Sequence, residues 1–304
     1  MNWKTSALMT EDFEFWVKTH QGRIESFMMS FLEIDSSDSI IYEVCRHGSL
    51  SGGKRFRALL VYAVGEINQT DKLILDHISA SIEFIHAYSL IHDDLPSMDN
   101  DNLRRGKPTC HIKFNEAQAI LTGDGLQSLA FYILSLPSLL INDQKKLKII
   151  HSLSRAVGIN GMVKGQSLDI ENTLKIGKIE ELEKLQELKT GLLFNFVGSA
   201  SYLVSKSPIK ETNIKIANLC LLLGKIYQIT DDILDYESSD EVLGKTSGKD
   251  KKDNKLTYVS LLGINEAKKI NSAYFDEIKK IINSISGNTI FLKELITKIY
   301  QRAH

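Results

Sequence analysis

Four aspartates, Asp93, Asp94, Asp99 and Asp101, fall within one short stretch, IHDDLPSMDNDNLRRGKPT, and Arg104, Arg105 and Lys107 follow at once. Far downstream, YQITDDILDYE carries Asp231, Asp232 and Asp235. Carboxylates crowded against apolar residues repel one another, and the cluster is unfavourable unless cations neutralise it. An oxygen-only ligand set suits a hard ion such as Mg²⁺, which takes a few carboxylates and completes its octahedron with water and substrate phosphate. The arginines and the lysine cannot ligate a metal. They can bind what metals bind, a polyanion such as diphosphate, for which Arg offers forked donors.

Spacing sharpens this reading. In a helix Asp231 and Asp235 stand one turn apart on one face, and Gln228 joins them. Asp93 and Asp99 would lie about 120° apart on an unbroken helix. Pro96 forbids such a helix, so the chain is expected to bulge after Asp94 and return Asp99 beside Asp93. His86 precedes Asp93 on the same stripe, roughly 10 Å along the axis. GGKRFR supplies Gly52, Gly53, Lys54, Arg55 and Arg57 before an expected helix start, where free N–H groups favour phosphate. Blander readings exist for each piece: a solvated acidic turn followed by a basic one, or a solvated basic helix start. Two DD-containing clusters abutting strongly apolar helix weigh against the first. A calcium loop fails because Leu103 stands where Asp or Asn is required.

The elements that must hold these residues read as helices. The 304 residues have a net charge of −1, with 43% hydrophobic and 25% charged, which fits a soluble globular chain able to bury a large core. The absence of a basic excess argues against a general nucleic-acid binder. Cys45, Cys110 and Cys220 are scattered, which suits a reducing cytosol and gives no disulfide framework or metal-knuckle spacing. The opening MNWKTSALMTEDFEFWVKTH mixes acid and base, so no signal peptide is expected. Nor is there an apolar run long enough for a membrane span. Only Pro96, Pro108, Pro137 and Pro208 interrupt the chain, and apolar residues recur at intervals of 3 and 4. Helices are expected near 11–32, 38–47, 55–67, 72–94, 115–135, 143–157, 179–203, 214–236, 265–284 and 289–302. The apolar residues of 214–236 spread over most of the circumference, which places that helix deep inside. No hairpin of alternating residues is evident. The stretch ESSDEVLGKTSGKDKKDNK, 237–255, has the composition of a long loop. The expectation is one all-α domain over residues 1–304.

Taken together, GGKRFR, EFIHAYSLIHDDLPSMDNDNLRRGKPTCH, GDGLQSLAF, GMVKGQSLDI, LKTGLLF, YQITDDILD and LGK resemble the trans-polyprenyl diphosphate synthase family, and within it the short-chain bacterial members. They fall in family order. The paired aspartate motifs are specific; the smaller motifs are not. The resemblance implies a single-domain helical bundle of isoprenoid synthase type around a central cavity. It implies a cytoplasmic homodimer that needs neither nucleic acid nor membrane. The expected reaction condenses isopentenyl diphosphate with dimethylallyl diphosphate and then geranyl diphosphate. The expected cofactor is Mg²⁺, three ions with substrate bound. By match, Asp93, Asp94 and Asp99 with Asp231, Asp232 and Asp235 would serve the metal. Gly53, Lys54, Arg57, His86 and Arg105 would hold isopentenyl diphosphate. Arg104, Lys189, Thr190, Gln228, Lys245 and Lys255 would hold the allylic diphosphate, with Lys189, Thr190 and Gln228 also facing the developing cation.

Tyr88, five residues before Asp93 and roughly 7.5 Å deeper along the helix, would stop the growing chain at fifteen carbons; ordinary core packing is the plainer alternative. Tyr227 stands where the family usually has Phe, Asn254 and Val259 stand for a common Gly and Pro, and Gly125 stands for a common Ala. The glycine is expected to let a neighbouring helix approach. Two other classes remain open. A terpene cyclase would usually carry an Asn/Ser/Glu motif in place of DDILD. A regulatory subunit would commonly lack one of the aspartate motifs.

Overall fold

Residues 7–33, 39–172, 177–205, 209–237 and 256–303 are described by the structure, a computed structural model. The first half of the chain forms α1 (Ala7–Leu32), α2 (Ile40–Leu50), α3 (Phe56–Ile67), α4 (Lys72–Asp93), the short α5 (Cys110–Lys113) and α6 (Glu116–Ser135). The second half forms α7 (Asp143–Val157), α8 (Met162–Asn172), α9 (Ile179–Gln186), α10 (Leu192–Val204), α11 (Lys210–Glu237), α12 (Tyr258–Leu262), α13 (Ile264–Asn283) and α14 (Ile290–Tyr300). The all-α expectation holds.

Helix α4 shows how local sequence and packing cooperate. Asp71 caps it by accepting from the Leu73 amide at 2.8 Å. Ile74, Ile78, Ile82, Phe84, Ile85 and Ile91 are buried on one side and Asp76, Ser79 and Glu83 on the other, so the helix is enclosed nearly all round and lies at the centre. Helix α6 runs along it in the most extensive helix pairing among the described residues. The second central helix, α11, is buried through Ile216, Leu223, Ile226, Ile229 and Ile233 and packs against α10 and α13. The core divides into a large cluster spanning most of the helices and a smaller one around α9, α11, α12 and α13.

Three departures from the sequence expectation matter for the site. The helix expected over 179–203 is interrupted by a π-helical turn, Glu187–Gly191, between α9 and α10. Such bulges re-aim side chains and are frequent at functional sites. Helix α8 was not anticipated at all. Its face of Met162, Val163, Gln166, Ser167 and Ile170 has helical spacing but mixes polar with apolar residues, because it lines a cavity rather than the core. A small ladder also forms, pairing β1 (Leu103–Arg104) with β2 (Lys107–Pro108). Its two-residue turn, Arg105–Gly106, has φ of 54° and 73°, and a hairpin turn with a non-glycine residue in the left-handed region is poorly signalled by sequence.

Candidate active site

Helices α4 and α11 each bring a carboxylate, Asp93 and Asp231, to one cavity of about 700 Å³. The chain after α4 does bulge. The Leu95–Met98 turn closes with the Met98 amide on the Leu95 carbonyl, and the Asp99 amide returns to the Asp93 carbonyl at 2.8 Å. Pro96 has no amide to continue the helix, and the turn sets Asp99 beside Asp93. Burial above all pushes the Asp93 carboxyl up to about 6; Asp99 and Asp94 add to the rise, while Lys189 and Arg104 oppose it.

The remaining carboxylates of the two motifs are placed differently. Asp94 is buried and forms an ion pair with Arg104 at 2.5 Å, away from the cavity lining. Asp232 is buried, with one oxygen accepting from the Tyr258 amide at 3.1 Å and the other from Gln228 Nε2 at 3.3 Å. The first of these bonds places the carboxylate at the start of α12, where free amides favour negative charge. Asp235, one turn beyond Asp231 on α11, is buried and is not among the cavity-lining residues. Of the six acids, Asp93 and Asp231 line the cavity, and the returning turn brings Asp99 beside the first. Asp94 braces the arginine, and Asp232 braces the glutamine and the start of α12.

The basic residues form the adjoining wall. Arg57 is buried against aromatic rings, 5.2 Å above Phe194 and 5.6 Å above Tyr227, and its Nε has no hydrogen-bond partner. A guanidinium held on ring faces keeps its charge available to an anion. His86 lies at the same wall. Burial, then the charges of Arg57, Arg105, Arg104 and Arg55, hold its imidazole well below the ordinary value, so the ring is neutral. Arg105 also lines the cavity and donates to the Gly52 carbonyl, lying close over Gly53, whose φ of 121° only glycine adopts easily. Lys54 is exposed and not among the lining residues, but it stands near enough to Arg302 and Asp231 at the cavity for their charges to act on it. Arg55, between these residues in sequence, turns inward to Glu25 at 2.9 Å and Glu83 at 3.6 Å, so it anchors the loop rather than facing the cavity.

The π-helical turn delivers Lys189 and Thr190. Lys189 Nζ reaches Asp169 of α8 at 2.6 Å, and the Thr190 hydroxyl donates to Gln228 Oε1 at 3.3 Å. All three of Lys189, Thr190 and Gln228 line the cavity, as does Tyr88. Arg104 lines it too, although its charge is engaged by Asp94 and Asp101. Lys245 and Lys255 lie outside the described residues. Sequence reasoning missed Arg302, whose guanidinium stands 3.1 Å from Asp231 and 5.2 Å above the Tyr227 ring. Nothing in the sequence distinguishes that arginine from a solvated helix end. It also missed Asp169, although GMVKGQSLDI contains it; on a recognised α8 its position beside Lys189 would have been open to argument.

The donor set fits Mg²⁺. Among the described residues no three acidic, histidine or cysteine side chains stand close enough to cage an ion. Mg²⁺ does not ask for a cage. One or two carboxylates on each side, with water and substrate phosphate completing the shell, is its usual mode.

The family model described as polyprenyl synthetase matches residues 38–294. This chain belongs to the polyprenyl synthetase family. It is 42% identical over 268 residues to the farnesyl diphosphate synthase of Haemophilus influenzae, covering 86% of this chain and 90% of that protein. Among solved structures, a geranyltransferase from Legionella pneumophila has a TM-score of 0.86 at 31% identity, covering 97% of this chain and 99% of that one. A Helicobacter pylori geranyltransferase, solved with magnesium and isoprenyl diphosphate, has a TM-score of 0.82 at 31% identity, covering 98% of each chain. As a polyprenyl synthetase, the chain keeps both aspartate motifs and the helical bundle around one central cavity. No helix among its described residues is long and apolar enough to cross a membrane.

Proposed function

We propose that this polyprenyl synthetase condenses isopentenyl diphosphate head to tail with dimethylallyl diphosphate and then with geranyl diphosphate. The products are (E,E)-farnesyl diphosphate and diphosphate. The observation that carries the reading is the shared cavity: Asp93 on α4 and Asp231 on α11 border one space with Arg57 on its ring faces and neutral His86. The farnesyl diphosphate synthase named among its relatives supports the same product.

Asp93 with Asp99, and Asp231 opposite, would hold the Mg²⁺ ions, three when substrate is bound; Asp94 and Asp232 would support these groups through the contacts described above, and Asp235 would support them from its buried place on α11. Bound there, Mg²⁺ supplies Lewis-acid withdrawal of charge onto the departing diphosphate. Lys189 and Arg104, with Lys245 and Lys255 from outside the described residues, hold the allylic diphosphate and favour the charge that gathers on it as the allylic C–O bond ionises. Thr190 Oγ1 and Gln228 Oε1 turn oxygen dipoles toward the cation left behind. Arg57, Arg105, Lys54 and the Gly53 backbone hold isopentenyl diphosphate, with neutral His86 donating one N–H. The alkene attacks the cation, and the proton released passes to the departed diphosphate. The apolar lining keeps water from quenching the cation. Tyr88, buried on α4 below Asp93, blocks growth beyond fifteen carbons.

The working unit is taken as a cytoplasmic homodimer on the family resemblance; the described cysteines, all buried and free, fit a reducing compartment. Incubating purified protein with labelled isopentenyl and dimethylallyl diphosphates and Mg²⁺ tests the reaction. A chelator-sensitive fifteen-carbon diphosphate is expected. A ten- or twenty-carbon main product would assign the same chemistry to a geranyl or geranylgeranyl diphosphate synthase. A hydrocarbon formed from farnesyl diphosphate alone would overturn the reading in favour of a cyclase.

A further inference from the structure

Beside Tyr88, a side chain of α4 occupies the place that a β-carbon would take on α6. His92 lies one turn along α4 from Tyr88, and the two rings meet edge to face, with centroids 5.9 Å apart at 81°. The His92 ring reaches across to α6, where its Nε2–H donates to the Ile120 carbonyl at 3.1 Å. It fits there because Gly123, one turn on from Ile120, has no side chain; a β-carbon on Gly123 would overlap the imidazole. His92 also lines the cavity. One imidazole thus sits between a slot in α6 and the space in which the product grows, with Tyr88 resting against it.

We propose that His92 and Gly123 are specificity-determining residues, which set product length by fixing how far the Tyr88 and His92 rings intrude on the cavity. This rests on the reading of Tyr88 as the chain stop. Removing the His92 ring takes away the support of Tyr88 and opens the slot to the cavity, so the chain has room to lengthen. A methyl at Gly123 has the opposite effect. It expels the imidazole from the slot, breaks the bond to Ile120, and leaves the ring nowhere to go but into the cavity. A methyl added where the imidazole is already gone fills part of the vacated slot.

The test compares products of His92→Ala, Gly123→Ala, the double variant and Tyr88→Ala, each incubated with dimethylallyl and isopentenyl diphosphates and Mg²⁺ and analysed by mass spectrometry. His92→Ala is expected to raise the twenty-carbon share several-fold. Gly123→Ala is expected to raise the ten-carbon share several-fold. The double variant should return toward the wild-type distribution, a non-additivity that general loss of packing would not produce. Wild-type product ratios in His92→Ala, while Tyr88→Ala lengthens the product, would overturn the inference and leave the chain stop standing. Unchanged ratios in Tyr88→Ala would remove the stop and the inference together. Should Gly123→Ala fail to fold, His92→Ala alone decides by the same criterion.

Discussion

Burial lifts the Asp93 carboxyl to about 6, so at neutral pH the metal-free protein carries an ionised group that its surroundings disfavour. An unfolded aspartate titrates near 3.9. Between those values the folded protein holds the extra proton, so this group's contribution to stability is present at low pH and is lost as pH rises through about 6. Asp93→Asn removes the ionisation. In a chelator, at pH 7 to 8, the variant is expected to melt a few degrees higher than wild type, and to lose Mg²⁺-dependent turnover. A lower melting temperature would contradict the burial argument; wild-type turnover would mean that Asp93 is not a needed ligand. The same protonation predicts that divalent-ion affinity, measured by calorimetry, falls as pH drops below about 6. Arg57 raises a separate expectation. Its charge rests on rings rather than on a carboxylate, so Arg57→Leu should cost about 1.5–3 kcal/mol of diphosphate binding. Initial-rate kinetics would show this as a KM for isopentenyl diphosphate raised by roughly tenfold or more, and an unchanged KM would refute it.

Among the elements, α6 shows where an expectation from helix propensity was right in kind and wrong in place. A glycine was expected to admit a neighbouring helix, and Gly125 drew attention because alanine is common there. A β-carbon at Gly125 would meet open space, whereas Gly123 is the position that admits a side chain from α4. Gly125→Ala should therefore stabilise the protein by about 0.5–1 kcal/mol, through better helix propensity and a stiffer unfolded chain. Urea denaturation monitored by circular dichroism would measure it, and a lower midpoint would contradict the account. The π-helical turn at Glu187–Gly191 shows the opposite limit. One extra residue in a turn leaves no trace in apolar periodicity, so the motif LKTGLLF could be noticed while its geometry could not. The return of Asp99 to Asp93 was legible because a single proline decides it.

For the whole molecule, scarce proline and apolar spacing of 3 and 4 made the helical architecture readable, including both helices that carry the acids and the deep burial of the one at 214–236, though not the central place of α4. Interactions between distant segments were not readable. Arg302 reaches Asp231 from the far end of the last helix, and Asp94 turns from the cavity because Arg104 of the following ladder claims it. The size of the enclosed space is also a property of the assembled bundle. Tyr88→Ala is expected to shift the main product from fifteen to twenty carbons at an overall rate within the same order of magnitude. A fifteen-carbon product from that variant would make Tyr88 a packing residue only.

The central claim is that the Asp93 and Asp231 walls act on one diphosphate through divalent ions held between them. Crystals grown with Mn²⁺ in place of Mg²⁺ and a non-ionisable allylic diphosphate analogue, measured at the manganese absorption edge, test it most directly. Anomalous peaks beside both Asp93 and Asp231, with the diphosphate between them, are predicted. Peaks confined to surface acids, with the diphosphate bound elsewhere, would contradict the account.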